Sequence, residues 1–435
     1  MAVLERRLHR VDAMAISIGA VIGVGVFFST GLVLSGAHGL AGATAVWVIV
    51  AVVCLAGAIL YADLSARVPE FGGPYAYVRV AFGRQAAFVH GWMNAGFALP
   101  VRQATAFAAV GEVLARWLPG DARLLASCAL VALTALNLLG VRTGAIAQFV
   151  FTSGKLATLT LVIGLALILG SLGSLGLSDE AGAIQAAPFV TAVSAAWFAC
   201  LGWQDVVLLS EELLEPRRDL PVVLVGTVAL TTLLYIGIHL AIYFGLGGDA
   251  DAYGATPAIA VASRALGSFG AGLLSLLILS SMLSSCAENL MVRSRIAMAL
   301  AMARDGMGPP QIAAVDRAGT PYGALLLHTS IALVLVATNQ FITMLPLIAF
   351  SQGFLGVFET ASYFVIRRKR PELPSSRFHP WAPLVFILAN AALCVVAGAA
   401  NLTATGFMLG VLVVISGVYA AMRPQVVAPD LPKSS

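Results

Sequence analysis

The stretch Ile18-Gly19-Ala20-Val21-Ile22-Gly23-Val24-Gly25-Val26-Phe27 lies in the middle of an apolar run from about residue 13 to residue 34. A helix needs about 20 mostly apolar residues to cross the hydrocarbon layer, so this run is long enough to span it. Within the run, Gly23 and Gly25 bracket a single residue near mid-membrane. Glycine costs a helix about 1 kcal/mol relative to alanine, and two so close permit the backbone to unwind. Unwound backbone at that depth is tolerated only where it lines a cavity. The N–H groups it bares, together with the positive end of the half-helix that follows, form an anion site suited to a carboxylate. The same residues also fit a plainer role, in which Gly19 and Gly23 make a small-residue face for helix packing.

The rest of the chain fits a membrane setting. Of 435 residues, 60% are hydrophobic, 43 more are glycine and only 11% are charged. Soluble domains carry about 25% charged residues. A chain so poor in charge cannot cover a water-soluble surface, which excludes a soluble enzyme, a disordered chain and a nucleic-acid binder. The five cysteines (Cys54, Cys128, Cys200, Cys286 and Cys394) lie in apolar stretches without a C-x-x-C pair. Neither a disulfide framework nor a metal site is expected.

Twelve apolar runs are legible, at roughly 13–34, 41–62, 86–112, 122–140, 146–170, 189–209, 221–246, 269–292, 322–338, 343–366, 381–400 and 403–421. They are continuous, not alternating with period two, which selects an all-α membrane protein over a barrel. The first run follows Arg6-Arg7-Leu8-His9-Arg10 but is too long for a signal peptide and lacks a small-residue exit, so it reads as a retained helix. Cytoplasmic loops retain Lys and Arg. With twelve crossings, 20 of the 25 basic residues fall on one side, which makes both termini cytoplasmic. The opposite loops keep only Arg116, Arg123 and Arg264, and two basic residues, Arg102 and Lys155, fall inside spans.

A second interruption lies in Phe198-Ala199-Cys200-Leu201-Gly202-Trp203, five helices after the first. Interrupted segments at matching places in two halves point to the central site of an inverted-repeat transporter. Unpaired carbonyls there would accept bonds from an ammonium group, so the two breaks together suit a zwitterion. Taken alone, the second is equally a packing glycine beside an aromatic residue.

Lys155 sits early in its helix, within Thr152-Ser153-Gly154-Lys155-Leu156-Ala157. It either snorkels to the interface or stays away from water, where an amine can alternate between neutral and charged forms during transport. Its glycine neighbour does not make a phosphate loop, because the upstream glycine spacing and the following Ser/Thr are missing. Arg102 lies mid-helix in Pro100-Val101-Arg102-Gln103. An arginine at that depth costs at least about 2.5–3.5 kcal/mol, so it must face a cavity, a carbonyl cluster or an acid. Asp205, Glu288 and Glu359 are the acids available inside other spans, and a structural ion pair stands beside direct substrate contact or a gating role.

Taken together, these stretches resemble the amino acid–polyamine–organocation superfamily of amino acid permeases over nearly the whole chain. Ile18 to Phe27 is similar to the family's Gly-Ser-Gly-type unwound motif, with Val24 in place of the usual Ser or Thr. Asp63-Leu64-Ser65-Ala66-Arg67-Val68-Pro69-Glu70-Phe71-Gly72-Gly73-Pro74-Tyr75-Ala76-Tyr77 is similar to the segment after its second helix. Phe198 to Gly202, followed by Ser210-Glu211-Glu212 and Glu215-Pro216-Arg217-Arg218-Asp219-Leu220-Pro221, resembles its sixth helix and the loop beyond. Met302-Ala303-Arg304-Asp305-Gly306-Met307-Gly308-Pro309 resembles the signature after helix 8.

The resemblance implies a leucine-transporter fold, with helices 1 and 6 unwound at mid-membrane. A cytoplasmic N-terminus (1–12) would precede a first five-helix repeat (13–170) and an inverted second repeat (189–366). Two further helices (381–421) and a cytoplasmic tail (422–435) would complete a single transporter domain in the cytoplasmic membrane. It also implies that Gly23, Val24 and Gly25 hold the substrate carboxylate. Carbonyls of Phe198, Ala199 and Leu201 would hold the amino group. Lys155 falls where a subset of the family carries a lysine in place of a sodium ion, which implies proton coupling or sodium independence.

The expected function is secondary transport of amino acids by alternating access, without a cofactor. An exchanger or an amine or polyamine permease is the rival within the superfamily. A pocket of Val24, Ala199, Cys200, Leu201, Gly202 and Trp203 is largely apolar and favours neutral side chains. The expected partners are an amino acid, protons and membrane lipid. A channel filter of this kind needs a ring of copies, and no G-x-S-x-G or H-E-x-x-H motif supports a membrane-embedded enzyme.

Overall fold

The computed structural model describes residues 8–37, 39–68, 72–139, 145–172, 186–210, 212–247, 256–296, 306, 308–314, 322–338, 341–371 and 376–422. Among them there is no strand, and one isolated parallel bridge joins Leu8 to Leu213. Most of Met302 to Pro309, one of the four resembling motifs, lies outside the described residues.

The first apolar run is two helices. α1 (Arg10–Val21) and α2 (Val24–Gly36) meet at Ile22-Gly23 with a bend of 44°. α3 (Leu40–Arg67) follows as one long helix. α4 (Pro74–Phe82) starts on Pro74, after Gly72 and Gly73 turn the chain with positive φ. Arg84 to Leu114 is helical throughout, but α5 (Arg84–Met93) and α6 (Leu99–Leu114) are separated by a π-helical turn at Asn94–Ala98. Pro100 accounts for that turn: it has no N–H to donate, and its ring crowds the carbonyl four residues earlier. α7 (Ala122–Leu138) begins on Asp121, whose carboxylate accepts the Arg123 N–H. α8 (Ala145–Leu172) carries Lys155.

The second interruption is also real. α9 (Ala186–Ala199) stops at the expected place, and Trp203–Leu209 continues as a 3-10 helix. α10 (Pro216–Leu246) ends on Gly247 in the left-handed region. α11 (Pro257–Ile296) is longer than its apolar run because a preceding helical piece joins it at Gly267, where the backbone is not helical. α12 (Tyr322–Thr338), α13 (Phe341–Lys369), α14 (Trp381–Ala400) and α15 (Leu402–Met422) complete the described chain.

Seven helical segments of the described residues are long and apolar enough to cross a membrane, or eight with the bent α1–α2 pair. The distribution of side chains agrees. Leu233, Phe269, Val395 and Val413 stand at least 70% exposed on helix surfaces, while Lys155, Glu288, Arg102, His90 and Glu359 are buried at 5% or less. Apolar residues outside and charges inside reverse the soluble pattern, and mark a bundle solvated by lipid. The interior charges converge on the two breaks.

Candidate functional site

A helix end leaves its last carbonyls without intrahelical partners, and the end of α1 does so in the protein interior. Three neighbouring helices supply donors. Lys155 Nζ of α8 donates to the Gly19 carbonyl at 2.8 Å. Ser285 Oγ of α11 lies 3.1 Å from the same carbonyl and 2.8 Å from that of Ile22. Tyr235 of α10 donates to the Val21 carbonyl at 2.9 Å. The carbonyl side of the first break is thus bonded by side chains, while the N–H groups opening α2 have no intrahelical acceptor.

Those N–H groups border a cavity of about 30 Å³, lined by Gly23, Val24, Gly25, Arg102, Phe198 and Leu201 among others. That volume holds about one water, so an amino acid enters only if the surrounding helices part. The broken segments touch directly here. A Cβ added to Gly25 would collide with Ala199 Cα at the end of α9, and one added to Gly202 would lie 3.0 Å from the Ala20 carbonyl. Gly202 also has φ 123, a conformation that disfavours any other residue. The start of α2 thus lies on the end of α9, and the end of α1 lies on the turn that opens the 3-10 segment.

Each buried cation has an acid. Lys155 pairs with Glu288 of α11 at 3.0 Å, and Ser284 donates to the same carboxylate oxygen at 3.1 Å. Arg102 pairs with Asp205 of the 3-10 segment at 3.6 Å. Of the three acids considered for Arg102, Asp205 is therefore its partner. Glu359 instead accepts from Tyr61 and stands 2.9 Å from His90 Nε2. Sequence reasoning missed this last cluster. Tyr61, His90 and Glu359 lie on three helices, with His90 and Glu359 269 positions apart, so no local spacing records it. A second cavity of about 30 Å³ lies among Tyr61, Glu359, Gln352, Gln204, Asp205 and Arg102.

Aromatic rings flank the site. Phe198 packs edge-on against Phe341 with centroids 5.6 Å apart, and Phe341 meets Phe28 at 5.3 Å. Trp203 lies against Tyr61 at 5.3 Å and Phe386 at 6.5 Å. Cys200 and Trp203 are both buried, Trp203 within this aromatic group and Cys200 in the turn that ends α9. Among the described residues, no group of three metal-binding side chains forms. The first segment thus presents N–H groups without intrahelical acceptors and the second its terminal carbonyls, with the Lys155–Glu288 and Arg102–Asp205 pairs beside them.

A protein-family model described as "Amino acid permease" matches residues 8–422. The chain is 28% identical over 443 residues to the large neutral amino acids transporter small subunit 2 of Rattus norvegicus, covering 97% of this chain and 82% of that one. It is 24% identical to the serine/threonine exchanger SteT of Bacillus subtilis, covering 97% of both chains. It is also 27% identical to the Asc-type amino acid transporter 1 of Mus musculus, across 95% of this chain and 80% of the relative.

Proposed function

The chain belongs to the amino acid permease family, and from that premise we propose that it moves neutral amino acids across the cytoplasmic membrane by alternating access. The observation that carries this reading is the direct contact of the two broken segments, Gly25 on Ala199 and Gly202 on Ala20. The substrate carboxylate is held by the N–H groups of Gly23, Val24 and Gly25, and its ammonium by the carbonyls of Phe198, Ala199 and Leu201. Val24, Phe198 and Leu201 around that point are apolar, which favours neutral side chains. Relatives named for large neutral amino acids and for serine and threonine support the same class.

The architecture proposed is twelve crossings in two inverted five-helix repeats (13–170 and 189–366) plus two helices (381–421), with both termini cytoplasmic. α7, α12, α15 and the π-interrupted α5–α6 helix supply the crossings beyond the eight long apolar ones. Lys155 is the coupling residue. Its ammonium, with the Ser285 hydroxyl, bonds the Gly19 carbonyl freed by the break. A sodium ion would seek the same kind of oxygen ligands, so the lysine replaces the ion and transport runs without sodium. Exchange of one amino acid for another is the second reading, favoured by the relative named as an exchanger.

Uptake of a panel of radiolabelled amino acids into proteoliposomes, with and without a pH gradient, tests the proposal. Neutral amino acids are expected to be carried, without a sodium requirement, and preloading distinguishes exchange from symport. Tighter binding of arginine than of leucine or alanine would overturn the neutral preference. Equal competition by decarboxylated analogues would remove the carboxylate role of Gly23 to Gly25 and turn the reading to an amine permease.

A further inference from the structure

The cluster of Tyr61, His90 and Glu359 plays no part in holding the substrate or in the Lys155–Glu288 pair, yet it joins three titratable side chains in the interior. All three residues are at least 95% buried. Tyr61 donates to one Glu359 oxygen, and His90 Nε2 lies 2.9 Å from the other. The second ring nitrogen of His90, Nδ1, has no hydrogen-bond partner. One imidazole nitrogen is thus bonded to a carboxylate and the other is open, an arrangement able to take a second proton. We propose that Tyr61, His90 and Glu359 form a proton-binding site of the transport pathway, distinct from Lys155 and Glu288.

With Glu359 ionised and His90 neutral, the cluster carries a net charge of −1; one added proton makes it neutral, either as imidazolium and carboxylate or as imidazole and carboxylic acid. The proton comes from hydronium, which leaves as water, and returns to water when the site empties. A buried charge without a partner costs more than the same charge paired or neutralised. The helices packed on α13 also carry Asp63 and Arg67 on α3, Arg79 on α4, Arg84 on α5, and Arg102 and Glu112 on α6. Arg67 pairs with Asp63 at 3.8 Å and bonds the Arg370 carbonyl, and Arg102 pairs with Asp205. α4 contributes Tyr77, whose ring centroid is 6.3 Å from that of Tyr61, and α15 contributes Tyr419, whose ring lies on Phe88. The described parts of α9, α14 and the π turn add no Asp, Glu, Lys, Arg, His or Tyr.

The site also has a physical link to transport. Tyr61 and Glu359 line the second cavity, and Arg102 lines both that cavity and the one between the broken segments. Gain or loss of a proton at Glu359 therefore changes the charge across the cavity from Arg102, beside the substrate. This proposal rests on the transporter reading above for its effect on rate, but not for the binding of the proton itself.

Two measurements test it. Exchange of labelled serine in proteoliposomes is followed while the pH on each side is varied separately from about pH 6 to about pH 8, the range in which histidine titrates. The unaltered protein is expected to respond to pH on one side by several-fold, up to about tenfold per pH unit for a single titrating group. His90→Gln and Glu359→Gln are each expected to hold that response below about twofold, and Tyr61→Phe to displace the profile. Infrared pH-difference spectra of the purified protein supply a readout independent of transport: the carboxyl and imidazole bands are expected to vanish in Glu359→Gln and His90→Gln respectively. Profiles and spectra of both variants that superimpose on those of the unaltered protein would overturn the proposal. Absence of serine exchange with the infrared bands present and erased by the variants would instead sink the transport reading for serine and leave the proton site standing. Should Glu359→Gln fail to fold, His90→Gln and Tyr61→Phe decide the outcome.

Discussion

Lys155 ties α8 to the broken end of α1 and to Glu288 of α11 through one nitrogen atom. Lys155→Ala is expected to abolish accumulation of substrate in proteoliposomes, and uptake with unchanged pH dependence would remove its coupling role. The variant also leaves Glu288 buried without its cation. Breaking a buried pair in this way costs about 3–5 kcal/mol, so the melting temperature in detergent is expected to fall. Neutralising the acid as well, in Lys155→Met with Glu288→Gln, is expected to recover much of that loss without restoring accumulation. A double variant no more stable than Lys155→Ala would show that the pair contributes little. The lysine was legible because a basic residue in an apolar run is conspicuous. Its acid was not, since the two lie 133 positions apart and Glu288 looked equally available to Arg102. Only the packing of helices distributes three acids among Lys155, Arg102 and His90.

At the scale of elements, both breaks depend on glycine for different reasons. Gly25 is needed for space against Ala199, and Gly202 for a backbone conformation at φ 123 next to the Ala20 carbonyl. Gly25→Ala forces the two segments apart and is expected to lower stability by about 1–3 kcal/mol while weakening substrate binding, measured by the shift in melting temperature with saturating amino acid. Gly202→Ala adds backbone strain of about 1–3 kcal/mol and is expected to behave similarly. Gly164→Ala serves as the contrast: it lies inside α8 with nothing near a new Cβ, so a gain of about 0.4–1 kcal/mol is expected. Normal affinity in Gly25→Ala would contradict a backbone site at the start of α2. Both breaks were legible as a pair, because glycines interrupt apolar runs at matching places five helices apart, whereas a packing role fitted each one taken alone. The π turn at Asn94–Ala98 was not read, although Pro100 was its signal, and α11 runs past its expected start because a separate helical piece joins it at Gly267. Apolarity marks where a helix lies in lipid, not where the peptide hydrogen bonds begin.

For the whole molecule, Arg67, Lys369 and Arg370 meet where α3 and α13 end. Arg67 donates to the Arg370 carbonyl at 2.9 Å and Arg370 donates back to that of Arg67, while Lys369 bonds the Val80 carbonyl at 2.9 Å. Cytoplasmic placement of that end is tested with an impermeant maleimide in a background where Cys128 is changed to Ser. Pro119→Cys is expected to react in intact cells and Glu215→Cys only after permeabilisation; the opposite pattern would invert the orientation. That end also carries the Leu8–Leu213 bridge, with Leu8 N bonded to the Glu212 carbonyl at 2.9 Å, and Arg10 bonded to Asp219 at 2.7 Å. These links buckle the foot of α1 to the chain that leaves the 3-10 segment. The lower halves of the two interrupted helices are thereby yoked, so one cannot swing aside without dragging the other. A fluorophore attached just ahead of Leu8 would therefore ride on that lever and report its stroke, whereas the same dye fixed to α14 would report a bystander.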